Sequence, residues 1–256
     1  IEWNEIYRSD EVKAVAEQMR AFLPYPTPLS CIATGDWRST VNTPAWTVAN
    51  VHARYKGLCR NYKRMLKNAG AAGGIIVNRD DPGRDYEFPQ TGATADEVVE
   101  YCLGAFLGGA YTGTGHGSRD GESLSYMYIG GNFSPDVMKS AENLNFMRHI
   151  IDTRILFWKM RAGVGAGRFS TKADCTPVLG FEGVQYVYGS SNAQTVEITL
   201  PEGVWEVDEY DLIAKTAHKI AVGRQGRLSF TTPPSPAVKT VPTNTKRMAD
   251  LKPAAE

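Results

Sequence analysis

Cysteine and histidine are scarce in this chain, with four of each among 256 residues. Cys31, Cys59, Cys102 and Cys175 never form a C-x-x-C pair, which argues against a zinc ribbon or a thioredoxin-type centre. They read instead as small buried residues. No histidine sits in an H-E-x-x-H pattern, so neither a metal nor another cofactor is expected. Charge of one sign is also missing: 28 basic and 28 acidic residues cancel. Without a net field there is nothing to draw the chain onto nucleic acid or anionic lipid, and a neutral polar partner fits better. The longest apolar run, Tyr101 to Tyr111, is about half of the ~20 residues a bilayer span requires, so no membrane partner is expected. Gly113 to Gly117 and Gly163 to Gly167 read G-x-G-x-G; they lack the third spacing of a dinucleotide fingerprint and the lysine of a P-loop, and read as tight turns. The chain opens at Ile1 without a basic n-region or a cleavage pattern, so any targeting signal is expected to have been removed or to lie upstream.

What is present is an ordinary globular composition, 42% hydrophobic and 22% charged, with enough apolar residues for one large core or two modest ones. The first two-thirds alternates short apolar runs with amphipathic stretches, the pattern of βα units around a parallel sheet. Ser9 is placed to cap a helix carrying Val12, Val15, Ala16 and Met19 on one face. Leu58, Cys59, Tyr62 and Leu66 recur at helical spacing among lysines and arginines. Thr94 to Glu97 forms a capping box, and Ser134-Pro135-Asp136 announces a further helix running to about Ile151. Gly74 to Asn78 reads as a buried strand that ends in the Arg79-Asp80-Asp81-Pro82-Gly83 break.

From about Gly167 the pattern changes to short strand-like runs separated by turns such as Pro201-Glu202-Gly203 and Gly223 to Gly226, which predicts a small antiparallel β-sandwich. Trp158 and Trp205 are expected in the core. The division expected is an α/β part over residues 1–165, the sandwich over 166–241 and a flexible tail over 242–256. A full eight-fold barrel takes about 250 residues, so the first part holds only about five βα units. It is either a smaller open α/β domain or the later part of a (β/α)8 TIM barrel. Unpaired strand edges in such a part favour self-association.

Trp3-Asn4-Glu5 is similar to the end of strand four in barrel glycosidases, where an Asn-Glu pair presents the acid/base carboxylate. The elements that follow resemble, in order, one group of these enzymes: Thr34-Gly35-Asp36, Val51-His52, the Asp80-Asp81-Pro82-Gly83 turn, Gly104 to Gly117 with Tyr111 and His116, and Ser134-Pro135. Leu200-Pro201-Glu202-Gly203 before Trp205-Glu206-Val207 continues the series. The chain thus resembles the apiosidase-like barrel glycoside hydrolases, whose barrel carries a C-terminal β-sandwich of the collagen-binding type, over most of residues 1–241. The resemblance implies the C-terminal portion of a barrel, about strands four to eight, followed by the sandwich. It further implies polysaccharide or oligosaccharide cleavage through two carboxylates, a carbohydrate substrate, and an extracellular or periplasmic setting. Glu5 becomes the acid/base and Asp81 the nucleophile, although the family has glutamate where this chain has Asp81. Asn4, Asp36, Trp37, His52, Asp80, Tyr111 and His116 become substrate-binding candidates.

Each residue also has a plainer reading. Asp before proline is a common turn residue, and a lone His or Tyr more often satisfies structure than binds a ligand. Trp37 and Trp46 offer flat apolar area for a sugar ring. The competing function is a catalytically inactive carbohydrate-binding accessory module, which the aspartate substitution would permit. A purely structural α/β scaffold is the third alternative.

Overall fold

The structure, a computed structural model, describes residues 2–6, 9–25, 27, 29–33, 48–51, 57–71, 76–79, 94–112 and 139–242. Contacts divide the chain into two units, residues 1–138 and 139–256.

The first unit is built on five strands: β1 (Glu2–Ile6), β2 (Ser30–Ala33), β3 (Val48–Val51), β4 (Ile76–Arg79) and β5 (Tyr111–Thr112). They hydrogen-bond in sequence order, β1-β2-β3-β4-β5, and every pairing is parallel. Parallel neighbours need a crossover between them. Three of these crossovers contain a helix among the described residues: α1 (Ser9–Phe22), α2 (Leu58–Ala71) and α3 (Ala95–Leu107). The expected βα alternation is therefore present, in the singly wound order of a barrel wall.

Local sequence explains the helices. α1 begins at Ser9, the residue expected to cap it, as its first helical residue, with Ala16 buried and Val15 and Met19 half-buried. In α2, Leu58, Tyr62 and Met65 are buried at spacings of four and three, the stripe that a helix packed on one side requires. α3 has the predicted capping box: the Glu97 N–H donates to Thr94 Oγ1 at 3.2 Å, and the Thr94 N–H donates to Glu97 Oε2 at 2.8 Å. α3 packs on α2 through two glycines one turn apart. A Cβ on Gly104 would stand 2.6 Å from the Leu58 carbonyl oxygen, and one on Gly108 would stand 2.6 Å from Met65 Cβ. These glycines are there so that the two backbones can approach.

The second unit opens with α4 (Lys139–Arg154). The start predicted at Ser134 lies outside the described residues, and the helix continues three residues past the predicted end. Ser140, Asn143, Met147 and Ile150 form its buried stripe. Gln185, fully buried, fastens the end of α4 to the sheet: its Nε2 donates to the Arg154 carbonyl at 2.7 Å, while its Oε1 accepts from the Leu156 N–H at 2.9 Å. One amide thereby satisfies an orphan helix carbonyl and a chain N–H.

Seven strands follow in one hydrogen-bonded network: β6 (Arg161–Ala162), β7 (Phe169–Thr171), β8 (Val178–Phe181), β9 (Gln185–Ser190), β10 (Thr195–Asp211), β11 (Thr216–Thr231) and β12 (Ala237–Pro242). Their path is β11-β10-β12-β9-β8-β6, with β7 also on β10, and every pairing is antiparallel. The first half of β10 pairs with β7 and its second half with β12. Gly163 to Gly167, read from sequence as tight turns, lies within this unit. The Gly163 N–H donates to the Val178 carbonyl at 2.8 Å, and a Cβ on Gly165, at φ +81°, would meet the Tyr186 ring at 2.4 Å.

Two sequence expectations are corrected here. Pro201-Glu202-Gly203 and Gly223 to Gly226 do not separate four short strands; β10 and β11 are each continuous across them. Between Leu200↔Gly226 and Val204↔Arg224 the ladder passes three residues on β10 against one on β11. The turn-rich sequence therefore makes an irregularity within a long hairpin. Trp205 secures it by donating its indole N–H to the Pro201 carbonyl at 3.1 Å. Trp205 is a core residue as expected, but Trp158 is 53% exposed. It sits on the three-residue 3-10 turn Phe157–Lys159, flanked by Leu156 and Met160, which face inward. So short a turn has no full helical stripe to bury.

The core of this unit gathers Phe169, Tyr186, Tyr188 and Trp205 with Val196, Ile198 and Leu200. Phe169 stacks on Tyr188 at 5.3 Å and Tyr186 on Trp205 at 5.7 Å. From Thr195 to Leu200 exposed and buried residues alternate strictly, as on a strand with one face in the core. The Tyr186 hydroxyl donates to Glu182 at 2.9 Å and accepts from the Gly183 N–H at 3.0 Å. Burial pushes the phenol of Tyr186 up, and that of Tyr188 likewise. The cysteines also depart from expectation, because Cys59 and Cys175 are each disulfide-bonded whereas Cys102 is a buried thiol outside any disulfide.

Two outcomes are expected. Trp205→Ala removes the largest core side chain and the indole donor together, and should lower unfolding stability by about 3–5 kcal/mol in urea titration; a loss below about 1 kcal/mol would contradict this account of the hairpin. Alkylation of the denatured, unreduced protein followed by peptide mass spectrometry should label Cys102 and leave Cys59 and Cys175 unlabelled; label on either of the latter would refute the disulfide assignment.

Candidate active site

All five strands of the first sheet run the same way, so their C-terminal ends share one rim. Parallel α/β folds place ligands and catalytic groups at this rim, because the loops there are free to vary while the strands hold position. The register aligns its residues. Ile32 pairs with Asn50, Asn50 with Asn78, and Asn78 with Tyr111. The next row joins Ala33 to Val51 and Arg79 to Thr112.

At the β1 end the register is irregular. Trp3 pairs with Cys31 and Ile6 with Ala33, so Asn4 and Glu5 together stand opposite the single Ile32. A bulge of this kind bends its strand and re-aims a side chain, and bulges are over-represented beside active sites. Of the sequence-predicted residues, Asn4 and Glu5 therefore lie at the bulge near the end of β1, and Tyr111 opens β5 at the far end of the same row. Tyr111 is 55% exposed, so its ring is open to a ligand instead of filling the core.

The remaining predicted residues, Asp36, Trp37, His52, Asp80, Asp81 and His116, lie outside the described residues. In sequence they follow strand ends closely: His52 directly follows Val51, Asp80 and Asp81 follow Arg79, Asp36 and Trp37 follow Ala33 by three and four positions, and His116 follows Thr112 by four.

Sequence reasoning missed Asn50 and Asn78, which the register sets side by side between Ile32 and Tyr111. The signal was available: asparagine is depleted in strands, yet Asn50 interrupts the apolar run Val48-Ala49-Asn50-Val51 and Asn78 closes the run Ile76-Val77.

Among the described residues no group of three or more His, Cys, Asp or Glu side chains is placed to hold a metal, and no helix is long and apolar enough to cross a membrane. In the second unit, a cleft of about 690 Å³ lies between α4 and the β10–β11 turn. Its charges are paired, Glu142 with Lys215 and Arg148 with Asp152, and the Lys215 ammonium holds the Glu142 carboxyl below its ordinary range. The described residues that line it include none of the sequence-predicted ones.

No protein-family model matches the chain, and no curated protein matches it. Solved structures do. The chain is similar to a structure described as a glycoside hydrolase, with a TM-score of 0.69 and 12% identity over 91% of this chain and 61% of that one. A glycoside hydrolase family 5 structure from Bacteroides vulgatus ATCC 8482 gives 0.68 and 10% over 90% and 58%. A GH27 β-L-arabinopyranosidase from Geobacillus stearothermophilus gives 0.56 and 11% over 95% and 58%. The chain thus spans about three-fifths of the length of these structures. The likeness establishes the fold, a mixed helix and sheet architecture of the kind found in barrel glycoside hydrolases.

Proposed function

We propose that the chain is the C-terminal part of a glycoside hydrolase: about strands four to eight of a (β/α)8 barrel over residues 1–165, with a β-sandwich over 166–241 and a tail over 242–256. The observation that carries this reading is the sheet order. Five parallel strands follow one another in sequence, a polar bulge at Asn4-Glu5 marks the end of the first, and two aspartates follow the fourth. Strands three apart are separated by three spacings, roughly 14 Å along a barrel wall. Closure of an eight-stranded barrel curves that distance across its mouth, which is how carboxylates on such strands converge on one bond.

In this reading Glu5, protonated, assists departure of the leaving group, and Asp81, ionised, attacks the anomeric carbon or activates water. Asn4 bonds the sugar 2-hydroxyl. Asp36, Trp37, His52, Asp80, Tyr111 and His116 line the cleft, and the substrate is a polysaccharide or oligosaccharide. The enzyme belongs with the apiosidase-like glycosidases. The disulfide-bonded cysteines suit an oxidising compartment, outside the cell or in a periplasm, and the sheet's outer edges favour self-association.

The test is hydrolysis of aryl glycosides and pectic oligosaccharides by the complete gene product. Glu5→Gln and Asp81→Asn should each lower the rate by orders of magnitude while leaving thermal unfolding unchanged. Full activity in Asp81→Asn together with loss in Asp80→Asn would move the nucleophile to Asp80. A complete protein that binds glycans but cleaves none would favour the accessory-module reading instead.

A further inference from the structure

We infer that the register row Asn50–Asn78–Tyr111 is a substrate-recognition row for a neutral glycosyl unit; this rests on the glycosidase reading and names what that site takes. Three observations converge. The row is continuous, because Asn50 pairs with Asn78 and Asn78 with Tyr111. It lies at the C-terminal end of the parallel strands, one position before the last residues of β3 and β4, and leads through Ile32 to the Asn4-Glu5 bulge. The composition is anomalous for its place. Strands of parallel sheets are near-continuous apolar runs, and an amide in one is costly unless something hydrogen-bonds it.

The chemistry of the row selects its ligand. An asparagine amide offers two donors and an accepting oxygen, and a phenol both donates and accepts. Three neutral groups of this kind match sugar hydroxyls, which also donate and accept. They supply no cation to pair with a carboxylate or phosphate. Adjacent strands hold the three positions about 4.8 Å apart, about 10 Å from first to last. The exposed Tyr111 ring adds apolar area against which a sugar face can lie. Glu5 would then act on the bond at one end of a unit that the row holds in place.

Ligand-binding polar groups and structural ones differ in their effect on stability. A polar residue kept for a ligand is neutral or costly to the free fold, whereas one that satisfies the fold stabilises it. The experiment therefore uses Asn50→Val and Asn78→Val in the complete gene product, read by thermal unfolding and by affinity electrophoresis in gels containing xylan, arabinogalactan or polygalacturonate. The expectation is retardation of the wild-type chain by a neutral polysaccharide more than by polygalacturonate, at least a tenfold weakening in both variants, and a melting temperature unchanged or raised. A fall of more than about 4 °C in both variants, unchanged retardation, or stronger retardation by polygalacturonate would overturn the proposal. If no glycan retards the wild-type chain, the glycosidase reading fails. The melting temperatures then still decide whether the asparagines serve the fold or a ligand.

Discussion

The parallel ladder of the first sheet is the constraint on which the rest depends. Because β1 to β5 pair in sequence order and in one direction, every connection must return from the C-terminal rim to the opposite one, which puts helices outside the sheet and a series of loop starts along one edge. The two-glycine contact between α2 and α3 serves this arrangement, since it lets two returning helices lie close together. The polar positions follow from it as well. A row of asparagines would be anomalous in the middle of such strands, but at their ends it lies where α/β proteins meet their ligands.

The second unit obeys a different rule. Its strand β10 alternates exposed and buried positions from Thr195 to Leu200, β9 is buried throughout, aromatic rings pack in its core, and a long hairpin with a register irregularity links its parts. At that irregularity Gly203 at φ +135° and Gly226 at φ +124° supply backbone conformations that L side chains rarely adopt. Trp205 joins the two requirements, since its ring fills the core while its N–H satisfies the Pro201 carbonyl beside the irregularity. Gln185 makes a comparable junction at the end of α4.

Much of this was legible in the sequence because it is local. The Thr94 capping box, the Ser9 start and the β-branched runs are short-range signals, and they appear where the residues place them. What was not legible is set by pairing across distance. Pro201-Glu202-Gly203 looks like a turn until β11 is laid beside it, and Trp158 looks like core until the turn that carries it proves too short to bury it. The two disulfide-bonded cysteines gave no spacing signal. Asn50 and Asn78 stand 28 positions apart in sequence, so only the register makes them neighbours; the bulge at Asn4-Glu5 is likewise a property of two strands and not of one.

The central claim is that Glu5 and Asp81 serve one bond at one rim. An experimental structure of the complete gene product tests it most directly, through the distance between their carboxyl groups. Aspartate is one methylene shorter than the glutamate that the resemblance to apiosidase-like glycosidases would place there, so the account predicts a gap of about 6 to 8 Å, wider than the roughly 5.5 Å of retaining glycosidases. Carboxyl groups at opposite ends of the sheet would contradict it.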